Sequence, residues 1–149
     1  MSTGTARSKR RSGWGRVSAN STLESQLNSQ SPLALGIFRI IFGLLFLMHG
    51  TAKLFGWPDG SPAAIGLWPM WWAGVLEVVL GSLIALGLFT RPAAFVASGM
   101  MAVAYFWRHF PDSFWPMVNG GETAVLYCFA FLTLVFTGPG ALVISRRWR

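Results

Sequence analysis

The sequence predicts an all-α integral membrane protein, a four-helix bundle with both termini cytoplasmic. Three observations lead there. Of the 149 residues, 53% are hydrophobic and only 11% are charged, against roughly 25% charged in soluble domains; lipid can replace the polar surface that is missing. The apolar residues gather in four stretches of helical length, separated by Gly and Pro. The basic residues that give a net charge of +7 flank those stretches rather than spreading along the chain.

Residues 1–30 read as a disordered basic cytoplasmic tail, rich in Ser, Gly, Asn and Arg. They do not form a cleavable signal, because the polar run from Ser18 to Ser31 separates the arginines from the first apolar stretch. Lys9-Arg10-Arg11 has poor spacing for a twin-arginine signal. A membrane domain follows over residues 31–144, and 145–149 is a second basic tail. A helix rises about 1.5 Å per residue, so about 20 residues cross a core of ~30 Å. Span one is Leu33–Leu54, with Pro32 just ahead of it, where a missing amide hydrogen does no harm. Span two is Trp71–Phe89, and Thr90-Arg91-Pro92 makes the turn after it. Span three runs from Pro92 to about His109 and stops at Pro111. Asn119-Gly120-Gly121 breaks the chain, span four is about Glu122–Thr137, and Gly138-Pro139-Gly140 ends it.

Charge sets the orientation. With the N-terminus inside, the cytoplasmic segments hold Arg7, Lys9, Arg10, Arg11, Arg16, Arg91, Arg146, Arg147 and Arg149, and only Lys53 and Arg108 remain at the outer face. The outer loops then carry Trp57, Trp68, Trp71, Trp72, Trp107 and Trp115 as an interfacial belt. Gly36, Gly43 and Gly50 recur every seven residues on span one, and Gly74 and Gly81 repeat the spacing on span two; such small residues let helices approach closely.

Charged and titratable groups inside the spans mark the candidate site. A charge in hydrocarbon costs ~2.5–3.5 kcal/mol on insertion scales unless it is paired or reaches water. His49 and Lys53 are four apart and share a helix face. By rise per residue, His49 and Glu77 lie at a similar depth, roughly 9 Å below the outer interface, and Arg39 roughly 12 Å deeper. Glu77 is therefore expected to pair with His49 or Lys53, and Arg39 to snorkel to the cytoplasmic interface. Arg108, His109, Asn119 and Glu122 crowd the same outer face, with Tyr127 about one turn below Glu122. For Arg108 and Asp112 an ordinary polar fringe suffices, and Glu122 also suits a helix N-terminus.

Other chemistries find little support. Basic residues flanking apolar spans speak for topology, and nucleic acid is not an expected partner. Cys128 is the only cysteine, which leaves no thiol pair for exchange or metal binding. No phosphate loop, metal-ligand spacing or serine–histidine–acid set is present, and His49 and His109 come with no further haem signature.

His49-Gly50-Thr51-Ala52-Lys53-Leu54-Phe55-Gly56, Gly74-Val75-Leu76-Glu77 and Gly81 through Gly87-Leu88-Phe89-Thr90-Arg91-Pro92-Ala93 resemble the DoxX family of small bacterial membrane proteins. Asn119-Gly120-Gly121-Glu122 and Gly138-Pro139-Gly140 also fit, so the resemblance covers Leu33 to about Gly140. It implies a multi-pass four-helix protein of the bacterial inner membrane. Relatives are linked to thiosulfate–quinone oxidoreduction and oxidative-stress complexes. The expectation is a redox-associated subunit handling a quinone-like or other amphiphilic substrate. His49 and Glu77 would be the proton-handling pair, and Lys53, His109, Glu122 and Tyr127 would contact substrate. No cofactor is encoded by motif; a quinone is the candidate, and a partner protein or a second copy would complete the assembly in membrane lipid. The alternatives are a non-enzymatic scaffold locked by its ionic cluster and a small-molecule transporter.

Overall fold

The computed structural model describes residues 14–58 and 60–144, with side chains from residue 21 onward. The described residues are all-α, in the order α1 Trp14–Phe55, α2 Met70–Leu86, α3 Thr90–Ala104, α4 Pro116–Asn119 and α5 Glu122–Thr137. A single π-helical turn, Tyr105–His109, extends α3. Among these residues only α1 is long and apolar enough to cross a membrane unaided; α2 and α5 are apolar but shorter.

Helix α1 is longer than expected. Residues 14–30, read from sequence as part of a disordered tail, continue the helix without a break, while the expected tail over residues 1–13 and the tail at 145–149 lie outside the described residues. Neither Gly nor Pro interrupts Val17–Ser31, so weak propensities there meet no steric stop. Pro32 then lies inside the helix rather than at its start. A proline cannot donate to the carbonyl four residues back, which here is that of Asn28. The Ser31 hydroxyl donates to that carbonyl instead, at 2.9 Å. Through residues 21–34 every side chain is exposed; within this segment the Pro32 carbonyl is nonetheless met by the chain after α5.

Helices α1 and α2 are antiparallel and form the tightest contact. A Cβ at Gly43 would lie 2.6 Å from the Ala85 nitrogen, and one at Gly81 would lie 2.7 Å from the Leu47 nitrogen. At Gly50 it would meet the Val78 nitrogen at 2.7 Å. The glycine spacing read from sequence is thus a backbone-to-backbone seam. Gly36 is the exception: it faces the Ala141 carbonyl rather than α2.

Helix α2 ends at Leu86, not Phe89. Gly87 is left-handed at φ 75°, its amide donates to the Ile84 carbonyl, and the Leu88 amide donates to the Leu83 carbonyl. This is a glycine-based helix stop. Thr90-Arg91-Pro92, expected to be the turn, is the first turn of α3, where Pro92 forgoes an amide that has no intrahelical partner. Helix α3 packs mainly on α5 and buries Ala93, Ala94, Ala97 and Met101. With Phe46, Leu80, Ile84, Tyr127, Phe131 and Leu134 these make one buried cluster. After α5, residues 138–144 form a strap laid back over α1: the Ala141 amide donates to the Pro32 carbonyl at 2.7 Å, and the Ile144 amide to that of Leu86 at 3.2 Å.

Candidate functional site

In an antiparallel helix pair, side chains lean toward the N-terminus of their own helix. Lys53 on α1 and Glu77 on α2 therefore lean toward each other, although their backbones are at different levels. The Lys53 ammonium is ion-paired with Glu77 Oε1. Glu77 is 2% exposed, and its second oxygen, Oε2, is buried with no hydrogen-bond partner. Of the two partners expected for Glu77, Lys53 is the one that holds it. Over this pair the loop after α1 folds back, with the Ala63 amide donating to the Lys53 carbonyl at 2.7 Å.

His49 lies one turn before Lys53, exposed on α1. Its ring meets that of Tyr127 edge-on at 5.6 Å between centroids. Tyr127 is 6% exposed and contacts Phe42 at 5.8 Å, Phe46 at 5.4 Å and Phe131 at 5.6 Å. It is also within electrostatic reach of the Glu77 carboxylate. Four of the six residues expected at the site, His49, Lys53, Glu77 and Tyr127, thus meet where α1, α2 and α5 converge. The aromatic wall around Tyr127 was not foreseen, because it depends on α1 facing α5.

The other two are used differently. His109 Nδ1 lies 3.1 Å from the Asn119 carbonyl. Asn119 Nδ2 donates to the Ser113 carbonyl, and the Gly121 amide donates to Asn119 Oδ1, each at 2.7 Å. Tyr105 donates its hydroxyl to the Phe114 carbonyl at 2.6 Å. The π turn sets Tyr105 and His109 to fasten the loop ahead of α5. Glu122 is exposed in the first turn of α5. Arg108 and Asp112 are an exposed i,i+4 pair at 3.4 Å, of the kind that adds little to stability.

Arg39 overturns its expected role. It does not snorkel: it is fully buried, at 0% exposure. Its Nη1 donates to the Ile84 and Ala85 carbonyls at 2.6 Å each, Nε to Pro139 at 2.9 Å, and Nη2 to Leu142 at 2.8 Å and Ala141 at 3.3 Å. The last carbonyls of a helix carry partial negative charge and lack intrahelical donors, so the guanidinium caps α2 and fastens the strap at once. Arg91 does the same for α5, with Nη1 donating to Val135 at 2.8 Å and Phe136 at 3.2 Å. The glycine spacing held a clue for Arg39. If Gly43 faces Gly81 in antiparallel register, four residues before Gly43 lies four beyond Gly81, at Ala85.

The family model described as DoxX matches residues 34–110, the stretch that carries the part of α1 from Ala34 onward, the seam, Lys53, Glu77 and α3. The chain belongs to the DoxX family. It is a DoxX-family membrane protein. An uncharacterized protein of Haemophilus influenzae is 41% identical, with 83% of this chain and 97% of that protein covered. The inner membrane protein YphA of Escherichia coli is 36% identical, with 78% and 91% covered. An uncharacterized membrane protein of Mycobacterium tuberculosis is 29% identical, with 81% and 85% covered. No solved structure matches the chain.

Proposed function

We propose that this DoxX-family protein spans the cytoplasmic membrane four times, with both termini inside. In this reading it holds the polar head of a quinone-like amphiphile at His49, Lys53, Glu77 and Tyr127, as a subunit of a redox-associated assembly. The observation that carries it is the Glu77 carboxylate, with one oxygen on Lys53 and the other buried without a partner. An unsatisfied buried acceptor costs about 1–3 kcal/mol, and a hydroxyl donor, such as a quinol head offers, would remove that cost. Lys53 is the more accessible partner, with its side chain 23% exposed. A head entering beside His49 meets the ammonium first and then the carboxylate. A bound quinone-like molecule would supply the redox chemistry, and the electron carrier would come from a partner protein. The chain's residues would bind the head, keep water out with the rings around Tyr127, and hold a proton at Glu77 or the His49 imidazole.

A scaffold reading has its own support, because the Lys53–Glu77 pair closes on itself as a clamp between α1 and α2 would. Two variants separate the readings. His49→Gln keeps hydrogen-bonding capacity but cannot titrate; Glu77→Gln strands the Lys53 charge, at a cost of ~3–5 kcal/mol. The proposal expects quinone-type lipids in solvent extracts of the purified wild type and their loss from His49→Gln at unchanged thermal stability. It also expects His49→Gln to fail to complement a null strain under oxidant or sulfur-compound stress. Full complementation by His49→Gln, with only Glu77→Gln defective through low abundance, would establish the clamp and reject the proton-handling site.

A further inference from the structure

At the opposite end from Glu77, the strap, Pro32, Arg91 and Thr137 enclose a cleft of about 610 Å³. Among the described residues, Arg91 is the one charged residue in its lining, and none of the acids Glu24, Glu77, Asp112 and Glu122 lines it. The guanidinium has two edges. One, through Nη1, is committed to the carbonyls of α5. The other, Nη2 with Nε, faces Gly138, where an added Cβ would stand 3.1 Å from Nη2 and 3.5 Å from Nε. Gly138 is held at φ 83° and brings no Cβ against that edge, and neither Nη2 nor Nε hydrogen-bonds to a described residue. Side-on, Nη2 and Nε form the fork that binds two oxygens of one phosphate. The neighbouring buried cation, Arg39, spends its donors on carbonyls rather than on an acid. Arg146, Arg147 and Arg149 follow the strap in sequence. A cationic pocket between apolar helices at a helix end suits an anionic headgroup.

We propose that this cleft binds a phosphate carried by an anionic membrane lipid, with the free edge of Arg91 as its ligand. The proposal does not rest on the quinone reading, since it concerns the other end of the molecule and none of the same residues.

The test is native mass spectrometry and thermal unfolding of the full chain in detergent, with added phosphatidylglycerol, phosphatidylcholine or inorganic phosphate. Phosphatidylglycerol should be retained at one per chain and raise the unfolding temperature, while phosphatidylcholine should not. Arg91→Gln should weaken retention roughly tenfold or more, the loss of a charge-assisted pair. Because Arg91 also caps α5, Thr137→Glu serves as a second variant. It leaves the arginine in place and puts a carboxylate in the cleft, and should weaken retention similarly in a folded protein. Protection by inorganic phosphate equal to that by phosphatidylglycerol would support the phosphate site but overturn the lipid as its source. Equal retention of both lipids would overturn the anionic lipid as its occupant, since phosphatidylcholine offers the same phosphate without the net charge, and undiminished phosphatidylglycerol retention in folded Thr137→Glu would overturn the site.

Discussion

At the scale of single residues, the two cations set among apolar helices, Arg39 buried and Lys53 partly so, solve the same problem in different ways. Lys53 has one compact charge and takes a carboxylate as partner. Arg39 has a planar fork of five donors and takes five backbone carbonyls, a geometry that an ammonium with three donors on a flexible stem cannot reproduce. Arg39→Lys should therefore be no conservative change. It would orphan carbonyls at the end of α2 and in the strap, each worth about 1–3 kcal/mol when buried and unsatisfied. The expected outcome is a clear fall in unfolding temperature in detergent and in membrane abundance. An unchanged melting curve would show that the guanidinium fork is not what holds the strap.

At the scale of elements, the α1–α2 seam is set by glycines that admit no side chain. Gly43→Val would press into the Ala85 backbone, which has nowhere to retreat because the same turn is held by Arg39. Gly99, on α3, has open space around its Cβ position, and alanine there gains roughly 1 kcal/mol of helix propensity in the scale measured in water. Gly43→Val should abolish accumulation of the folded protein, and Gly99→Ala should be tolerated or slightly stabilising, as read by size-exclusion profile and thermal unfolding. A tolerated Gly43→Val would break the seam as drawn. The element ends show where the sequence was readable. Glu122–Thr137 was legible to both ends because glycines flank an unbroken apolar run. The stop of α2 at Gly87 was missed because Leu88 and Phe89 continue the apolar pattern, and only the left-handed backbone of Gly87 ends it.

At the scale of the whole molecule, α1 at 42 residues is about 63 Å long by its rise per residue, twice the ~30 Å of a bilayer core. Its apolar half is long enough to cross, and in the proposed topology its N-terminal half projects on the inside. In a Cys128→Ala background, cysteines at Ser61 and Met117, both exposed, should react with an impermeant thiol reagent on intact cells, and one at Ser25 should react only after permeabilisation. The reverse labelling would invert the protein and place the Lys53–Glu77 site at the cytoplasmic face.

The sequence by itself determined the all-α membrane class, the family, the glycine seam and the short list that contained Lys53 and Glu77. Each follows from local composition or from spacing along one helix: an apolar run must be satisfied within its own helix in lipid, and small residues seven apart share one face. What the tertiary structure decided was which groups meet. Whether Glu77 takes Lys53 or His49 turns on the opposed lean of side chains in antiparallel helices. Whether Tyr127 belongs with them turns on α5 packing beside α1. Whether Arg39 reaches water or locks the fold turns on a strap a hundred residues later in the chain, whose carbonyls carry no signature in the sequence because every residue has one.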